Sequence, residues 1–466
     1  MDRVGVLVVS KCLSSPAIID ALSRSEDYRP DFYVVEKQRN PYNVKRARLH
    51  AVVPDLNLRE IVRFVDKHRK KIAFGLTDTE DFVIAGGRDV VEKETGVQMI
   101  CVAGRFAVER SKADQRVLFE RTFKEANPSF RVFDPADYPS RQEAVSDFKA
   151  TASRMGRPVI KPDAPARGAG VGVWGKDFTT EKEMTSFFLN VLSWGRVVVE
   201  ERVEGEESSF HAFSDGKHFV AASLTRDYKR AFDHDEGRLT GGMGSYRGPD
   251  ERLPFLKDSD WDRLASAEER AFRRWKGKGS EPDLRGIVLY DAIMHTGDGF
   301  KVLERNSRGG NTESVNLMAT MEDDFVEVCF RILDGKLRGI RFRREASVVT
   351  CAVPMHYGTG AASVGEQDTI DFSRAERLEA VRAGKAKIFP MDVRLEGGVC
   401  KIGSSRSAAV VGLSPEMGEA RELSSMVVKA LAGPLRWRSD IGSAESIRMS
   451  RAHLSVLRRG RKRFSA

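Results

Sequence analysis

The stretch DAIMHTGDGFKVLERNSR, Asp291 to Arg308, decides how the chain is read. Its centre, Gly297-Asp298, is a two-residue hairpin signal flanked by two runs of strand-like composition. A hairpin symmetric about that pair sets Asp291 directly opposite Glu304. Side chains alternate along a strand, so Glu304 and Asn306 leave from one face and Asp291 joins them there. Two carboxylates facing each other across a ladder repel unless a cation lies between them. Asp291, Glu304 and Asn306 are all hard oxygen donors, which suits Mg²⁺. The competing reading is an exposed hairpin with its polar side in water, and the stretch by itself leaves both open.

Upstream, TRDYKRAFDHDEGRLTGGMGSY mixes charges of both signs with few apolar residues, the composition of a disordered or a substrate-handling loop. Thr240 to Gly242 offers hydroxyl and backbone donors to a phosphate or carboxylate. Before it, RVVVEERVEGEESSFHAFSDGKHFVAAS reads as a strand, an acidic bend and a hairpin near Ser214 to Gly216. PVIKPDAPARGAGVGVW is a strand ending in Lys161, then a turn in which Gly168, Gly170 and Gly172 let amides approach an anion. A tight turn explains those glycines equally well, and no GxxxxGK[ST] motif is present. Towards the N-terminus, GVLVV, DFYVV, IAFGL and QMICVAG alternate with helical patterns, which predicts a doubly wound parallel sheet. Downstream, a helix is expected from Asn311 to about Leu333. Strands near SVVTCAV, AKIFPMDVRL and RSAAVVGL then join a helix at MGEARELSSMVVKAL in a small α+β domain.

A chain of 466 residues suggests about three domains. Hydrophobic residues at 41% and charged residues at 31% exclude fibrous and disordered classes. The formal charge of +9 is concentrated in SVLRRGRKRFSA at the C-terminus, read as a solvated basic tail, with nucleic-acid binding the minor alternative. No apolar run spans a bilayer and no signal segment is evident, so the expected location is cytoplasmic. Cys12, Cys101, Cys329, Cys351 and Cys400 are odd in number and lack CxxC spacing, which predicts buried thiols rather than disulfides or a zinc site.

Four segments taken together resemble the phosphoribosylamine-glycine ligases of the ATP-grasp superfamily. DYKRAFDHDEGRLTGGMG is similar to that family's DHKRxxDxDxGPNTGGMG, and RGIVLYDAIM with KVLERNSRGGNTE to its RGxLYxGLM and KVxEFNxRFGDPE. VVVEERVEGEESSF and ERSK match its adenine-site segment and LEGSK. The resemblance implies an N-terminal substrate domain over 1–105, an ATP-grasp region over 106–335 with a lid at about 125–195, a C-terminal domain over 336–445 and the tail beyond. It implies ATP with Mg²⁺ or Mn²⁺, and ligation of glycine to phosphoribosylamine through an acyl phosphate in de novo purine biosynthesis, by a monomer or dimer. Position by position, Lys112 and Lys161 would bind ATP phosphates, with Gly168 and Gly170 closing over them. Glu200 and Val203 would contact adenine and Glu207 the ribose. Glu304 and Asn306 would hold the metal, and Arg308 would neutralise the transferred phosphoryl. Asp227, Lys229, Arg230 and Asp233 would frame the amino acid and acceptor. Asp291 has no ligand counterpart in that family, so its role as a third ligand rests on the hairpin register alone.

The chain departs from the family mainly on the acceptor side. The first-strand loop reads KCLSSPA instead of GGREHA, the third-strand loop DTEDFVIAG instead of GPExPLVAG, and HAGT is replaced by FPMD near Phe389, while Arg406 and RSDIG remain. A ligase with another amine acceptor, or a non-catalytic nucleotide-binding paralogue, are therefore the alternatives.

Overall fold

The computed structural model describes residues 1–165, 170–360 and 368–462. Five parallel strands open the chain: β1 (Asp2–Ser10), β2 (Tyr28–Glu36), β3 (Ala47–Val52), β4 (Phe74–Thr77) and β5 (Gln98–Ile100), in spatial order β3-β2-β1-β4-β5. Central β1 is buried on both faces, with Leu7 and Val9 in one apolar cluster and Val4, Val6 and Val8 in another. That is why GVLVV shows no alternation. The expected doubly wound sheet is present.

A four-stranded antiparallel sheet follows, with β6 (Phe130–Phe133), β7 (Pro158–Pro162), β8 (Gly172–Val173) and β9 (Val197–Glu201) in the order β6-β9-β7-β8. It has its own core, in which the Phe148 and Phe188 rings stack 4.0 Å apart. The chain then enters a ten-stranded sheet that runs from the hairpin strands Phe300–Asn306 and Arg285–His295 through β10 (Glu206–Asp215) to Thr225–Asp227 and Gly244–Arg247. Gly244–Arg247 pairs antiparallel with Ala346–Pro354, so the C-terminal strands extend the same sheet.

Three expectations need correction. The helix expected over Asn311 to Leu333 is two helices, Glu313–Thr320 and Phe325–Leu333, because Asp324 turns its carboxylate onto the amides of Val326 and Glu327 and starts a new cap. The charged segment after Thr225 is not an open loop: Arg230–Phe232 pairs with Glu236–Leu239 across a turn in which His234 and Asp235 take left-handed backbone angles of 61° and 56°. The C-terminal stretch is not a solvated tail through residue 462, because Ala444–Lys462 is helical with Leu454 buried and Ile447 and Leu457 packed on the main core. Four cysteines are buried thiols and Cys400 is partly exposed. Among the described residues, no helix is long and apolar enough to cross a membrane.

Candidate active site

The hairpin supplies the centre of the site, in a register that differs from the symmetric one. Near the turn, His295, Met294 and Ile293 pair with Phe300, Lys301 and Val302, as symmetry about Gly297-Asp298 requires. Beyond them the ladder slips at a bulge: Ala292 faces Glu304, Asp291 faces Arg305 and Tyr290 faces Asn306, leaving Leu303 as the extra residue. A one-residue slip moves a side chain to the other face. Asp291 therefore does not join Glu304 and Asn306 on one face, as the symmetric register required of a third ligand. It is fully buried behind the strand, with both oxygens on the Arg305 guanidinium at 2.6 to 3.0 Å.

On the cleft face, Glu304 and Asn306 do lie together. With its amide turned so that each end meets a partner, the Asn306 nitrogen donates to Glu109 at 2.6 Å and to Glu304 at 3.2 Å. Burial works to raise the Glu304 carboxyl, but Lys112, Lys161, Lys229 and Arg308 outweigh it and hold it below the ordinary range. Lys112 lies 3.9 Å from Glu304 and donates to the Ala164 carbonyl at 2.8 Å. The Arg308 Nε stands 3.5 Å from Glu109 and 3.7 Å from Glu80, and these two carboxylates raise its affinity for a proton despite burial. Burial pushes Glu109 up to about 7.

The bulge also shapes the neighbouring subsite. The Leu303 carbonyl accepts from Lys161 at 3.3 Å and from Arg116, which also holds the Val302 carbonyl at 2.9 Å. Lys161 and Arg116 both ion-pair with buried Glu200 at 2.7 Å. The Glu200 carboxylate, expected at adenine, is thus taken up in orienting Lys161, and those two cations keep it ionised against its burial. Val203 lies on the partly buried segment between β9 and β10, and Glu207 pairs with Lys229. Gly170 has φ +74° and a Cβ there would meet Trp194 at 2.6 Å, so this position needs glycine. Gly168 and Arg167 lie outside the described residues.

The DYKRAFD segment divides. Asp227 and Lys229 face the cleft, where Asp227 stands among Glu313, Lys229, Glu207 and Arg406. Arg230 instead donates to the Gly237 carbonyl at 2.6 Å, and Asp233 accepts from the Ser439 amide at 2.9 Å. Arg230 thus braces its own hairpin, and Asp233 ties that hairpin to the C-terminal residues. Glu313 accepts from Tyr290 at 2.6 Å and Ser209 at 3.2 Å, linking Asp227 back to the hairpin.

Sequence reading passed over Glu109, Arg116 and Tyr290 as site residues. Arg116 carried a signal, since with Ala113, Phe119 and Thr122 it occupies the buried face of the helix Lys112–Thr122, an apolar-face position filled by a cation. Glu109 offered only its place in ERSK.

Burial, followed by the charge of Glu313, pushes Asp227 up to about 8 from an ordinary 3.8. A carboxyl raised on folding contributes stability that is complete below its unfolded value and lost as pH rises through the folded one. The ligand-free protein should therefore lose melting temperature between about pH 4 and pH 8, and Asp227→Asn should flatten that fall. Parallel thermal melts of the two proteins check this; identical pH slopes would refute it.

The first-strand loop is closed by the protein itself. Asp78 Oδ2 accepts from the Ser14 and Ser15 amides at 2.9 and 2.8 Å and from the Ser10 hydroxyl at 2.9 Å. Lys11 pairs with Asp81. The positive end of the helix Ser15–Ser23, the usual place for an anion, already holds one.

For ATP and a divalent cation the residues fit. Glu109 Oε1, Asp227 Oδ1 and Arg308 Nε are buried without hydrogen bonds, orphans of both signs that a metal-bearing polyanion would satisfy. Among the described residues no three His, Cys, Asp or Glu side chains form a ready-made cage.

Residues 111–314 match the family model of the phosphoribosylglycinamide synthetase ATP-grasp (A) domain. A phosphoribosylamine-glycine ligase of Methanocella arvoryzae is 31% identical over 97% of this chain and 99% of its own length. One from Pyrococcus furiosus is 32% identical over 90% of each. Among solved structures, the phosphoribosylamine-glycine ligase of Thermotoga maritima aligns with a TM-score of 0.71 at 21% identity, covering 94% of this chain and all of that one.

Proposed function

Since the chain belongs to the phosphoribosylamine-glycine ligase family, we propose that this cleft joins glycine to phosphoribosylamine at the expense of ATP, with Glu304, Asn306, Arg308, Lys112 and Lys161 at its phosphoryl-transfer end. One observation carries the placement: Lys112, Lys161, Lys229 and Arg308 all act on the single Glu304 carboxylate beside Asn306. A glycine carboxylate oxygen attacks the γ-phosphorus of ATP, ADP leaves, and an acyl phosphate results. The amine of phosphoribosylamine then attacks the acyl carbon, phosphate departs, and the nitrogen gives up a proton. Neither step needs a protein nucleophile; both need positioning and charge neutralisation.

Lys112 and Lys161 hold the phosphate chain, with Arg116 and Glu200 fixing where Lys161 points. The main chain at Val203 meets the base, and Glu207 turns from Lys229 to the ribose hydroxyls. Mg²⁺ or Mn²⁺ on Glu304 and Asn306 would withdraw charge from the phosphates. Arg308 faces the transferred group, held from behind by Glu80 and Glu109. Asp227 and Lys229 flank the amino acid and acceptor, and the sheet β6 to β9 covers the cleft against water.

Another amine acceptor is the second reading, favoured by Asp78 filling the helix end where an acceptor phosphate would sit. Phosphate release is expected only when ATP, glycine and freshly generated phosphoribosylamine are all present. ATP use with a different amine and none with this pair would transfer the conclusion to the second reading, and ATP binding without turnover would point to a non-catalytic protein.

A further inference from the structure

We propose that the buried triad Arg305, Asp291 and Glu268 is a register lock that holds Glu304 and Asn306 on the cleft face of the hairpin. All three side chains are fully buried. Arg305 reaches Asp291 at 2.6 Å and Glu268, on the helix Asp258–Lys276, at 2.7 Å. Its guanidinium lies between the rings of Phe119 and Trp275, at 5.0 and 5.5 Å from their centroids. The Arg305 amide donates to the Gln115 side chain at 2.9 Å. Strand, helix and the facing helix Lys112–Thr122 thus all grip the one residue between Glu304 and Asn306.

The hairpin has two registers available to it. From the turn to Val302 the pairing is the symmetric one, and its continuation would bring Asp291 opposite Glu304 and Arg305 opposite Tyr290. The bulge at Leu303 diverts it. Apolar side chains would pack in either arrangement, since burial is non-directional. Through its Nε and Nη2, a buried Arg305 meets both acids in only one, because Asp291 and Glu268 lie behind the strand, and a buried charge without its partners is heavily penalised. Burial raises both the Glu268 and the Asp291 carboxyls, and the Arg305 guanidinium opposes that rise in each. Fixing register is the best-attested use of buried polar groups. The bulge that this lock preserves also aims the Leu303 carbonyl at Lys161 and Arg116.

This rests on reading Glu304 and Asn306 as metal-holding residues, so the test includes a readout that does not. The triple variant Glu268→Leu, Asp291→Leu, Arg305→Phe fills the same space without charge. Its melting temperature should stay near the wild type, while the Mg²⁺ concentration for half-maximal turnover rises about tenfold or more, and its crystal structure should show residue 291 rather than Ala292 opposite Glu304 in some or all molecules. Wild-type register together with wild-type Mg²⁺ dependence overturns the proposal. A shifted register with unchanged Mg²⁺ dependence keeps the lock and removes the metal reading instead. Should the triple variant not fold, Asp291→Asn, which still accepts from Arg305, is expected to keep wild-type Mg²⁺ dependence while Asp291→Leu loses it. Equal behaviour of those two overturns the lock.

Discussion

Glu304→Ala is expected to lower turnover by about 10²–10³-fold, the usual cost of removing one preorganised group that acts on transition-state charge, while leaving the fold intact. The side chain is 38% exposed, so its removal opens no core cavity. What it does release is four cations, Lys112, Lys161, Lys229 and Arg308, whose charge Glu304 balances. Nucleotide binding in the absence of metal should therefore hold steady or tighten, whereas turnover collapses. Asn306→Ala should reproduce the loss of turnover without that gain, since the amide carries no charge. Steady-state phosphate release across a Mg²⁺ titration, beside a thermal melt, separates these effects. Wild-type rates in either variant would remove the basis for this end of the cleft.

Arg308→Ala should cost a comparable factor, about 10²–10³ in kcat, with KM for ATP nearly unchanged, on the proposal that Arg308 meets the group in transit rather than the nucleotide. Its guanidinium is held between Glu80 and Glu109 and lies 5.7 Å from the Tyr290 ring centroid. Lysine keeps the charge but not the planar fork, so Arg308→Lys should recover only part of the rate. Full recovery by lysine would show that charge alone suffices. A rise in KM equal to the fall in kcat would move Arg308 from the transferred phosphoryl to ground-state binding.

The hairpin shows how far the sequence could be followed. Gly297-Asp298 announces the turn, and the first three pairs obey it. The bulge has no local signal: it exists because Arg116 and Lys161 bind the Val302 and Leu303 carbonyls and because Arg305 finds its carboxylates on the far side. Asp291 is only 14 residues from Arg305, but the other partners lie from 37 to 187 residues away in the chain, beyond any window of periodicity. The same holds for Glu200, whose carboxylate is claimed by Arg116 at 84 residues' distance. By contrast, the parallel sheet was legible because continuous burial writes itself into continuous apolar runs. Arg230 and Asp233 sit in a motif shared with the family, yet their neighbours Gly237 and Ser439 give them a scaffolding task that motif spacing does not express.

The ten-stranded sheet carries a further consequence. The hairpin with Glu304, the strand ending in Asp227 and the C-terminal strands belong to one hydrogen-bonded sheet, whereas β6 to β9 close a separate apolar core. Cooperative units follow such boundaries. The hairpin with Glu304 and the strand ending in Asp227 therefore fall in one cooperative unit, and β6 to β9 in another. Lys161 on β7 and Glu200 on β9 belong to the second unit, and their bonds to the Leu303 carbonyl and Arg116 tie it to the first, so any opening of that sheet would draw Lys161 away from the hairpin.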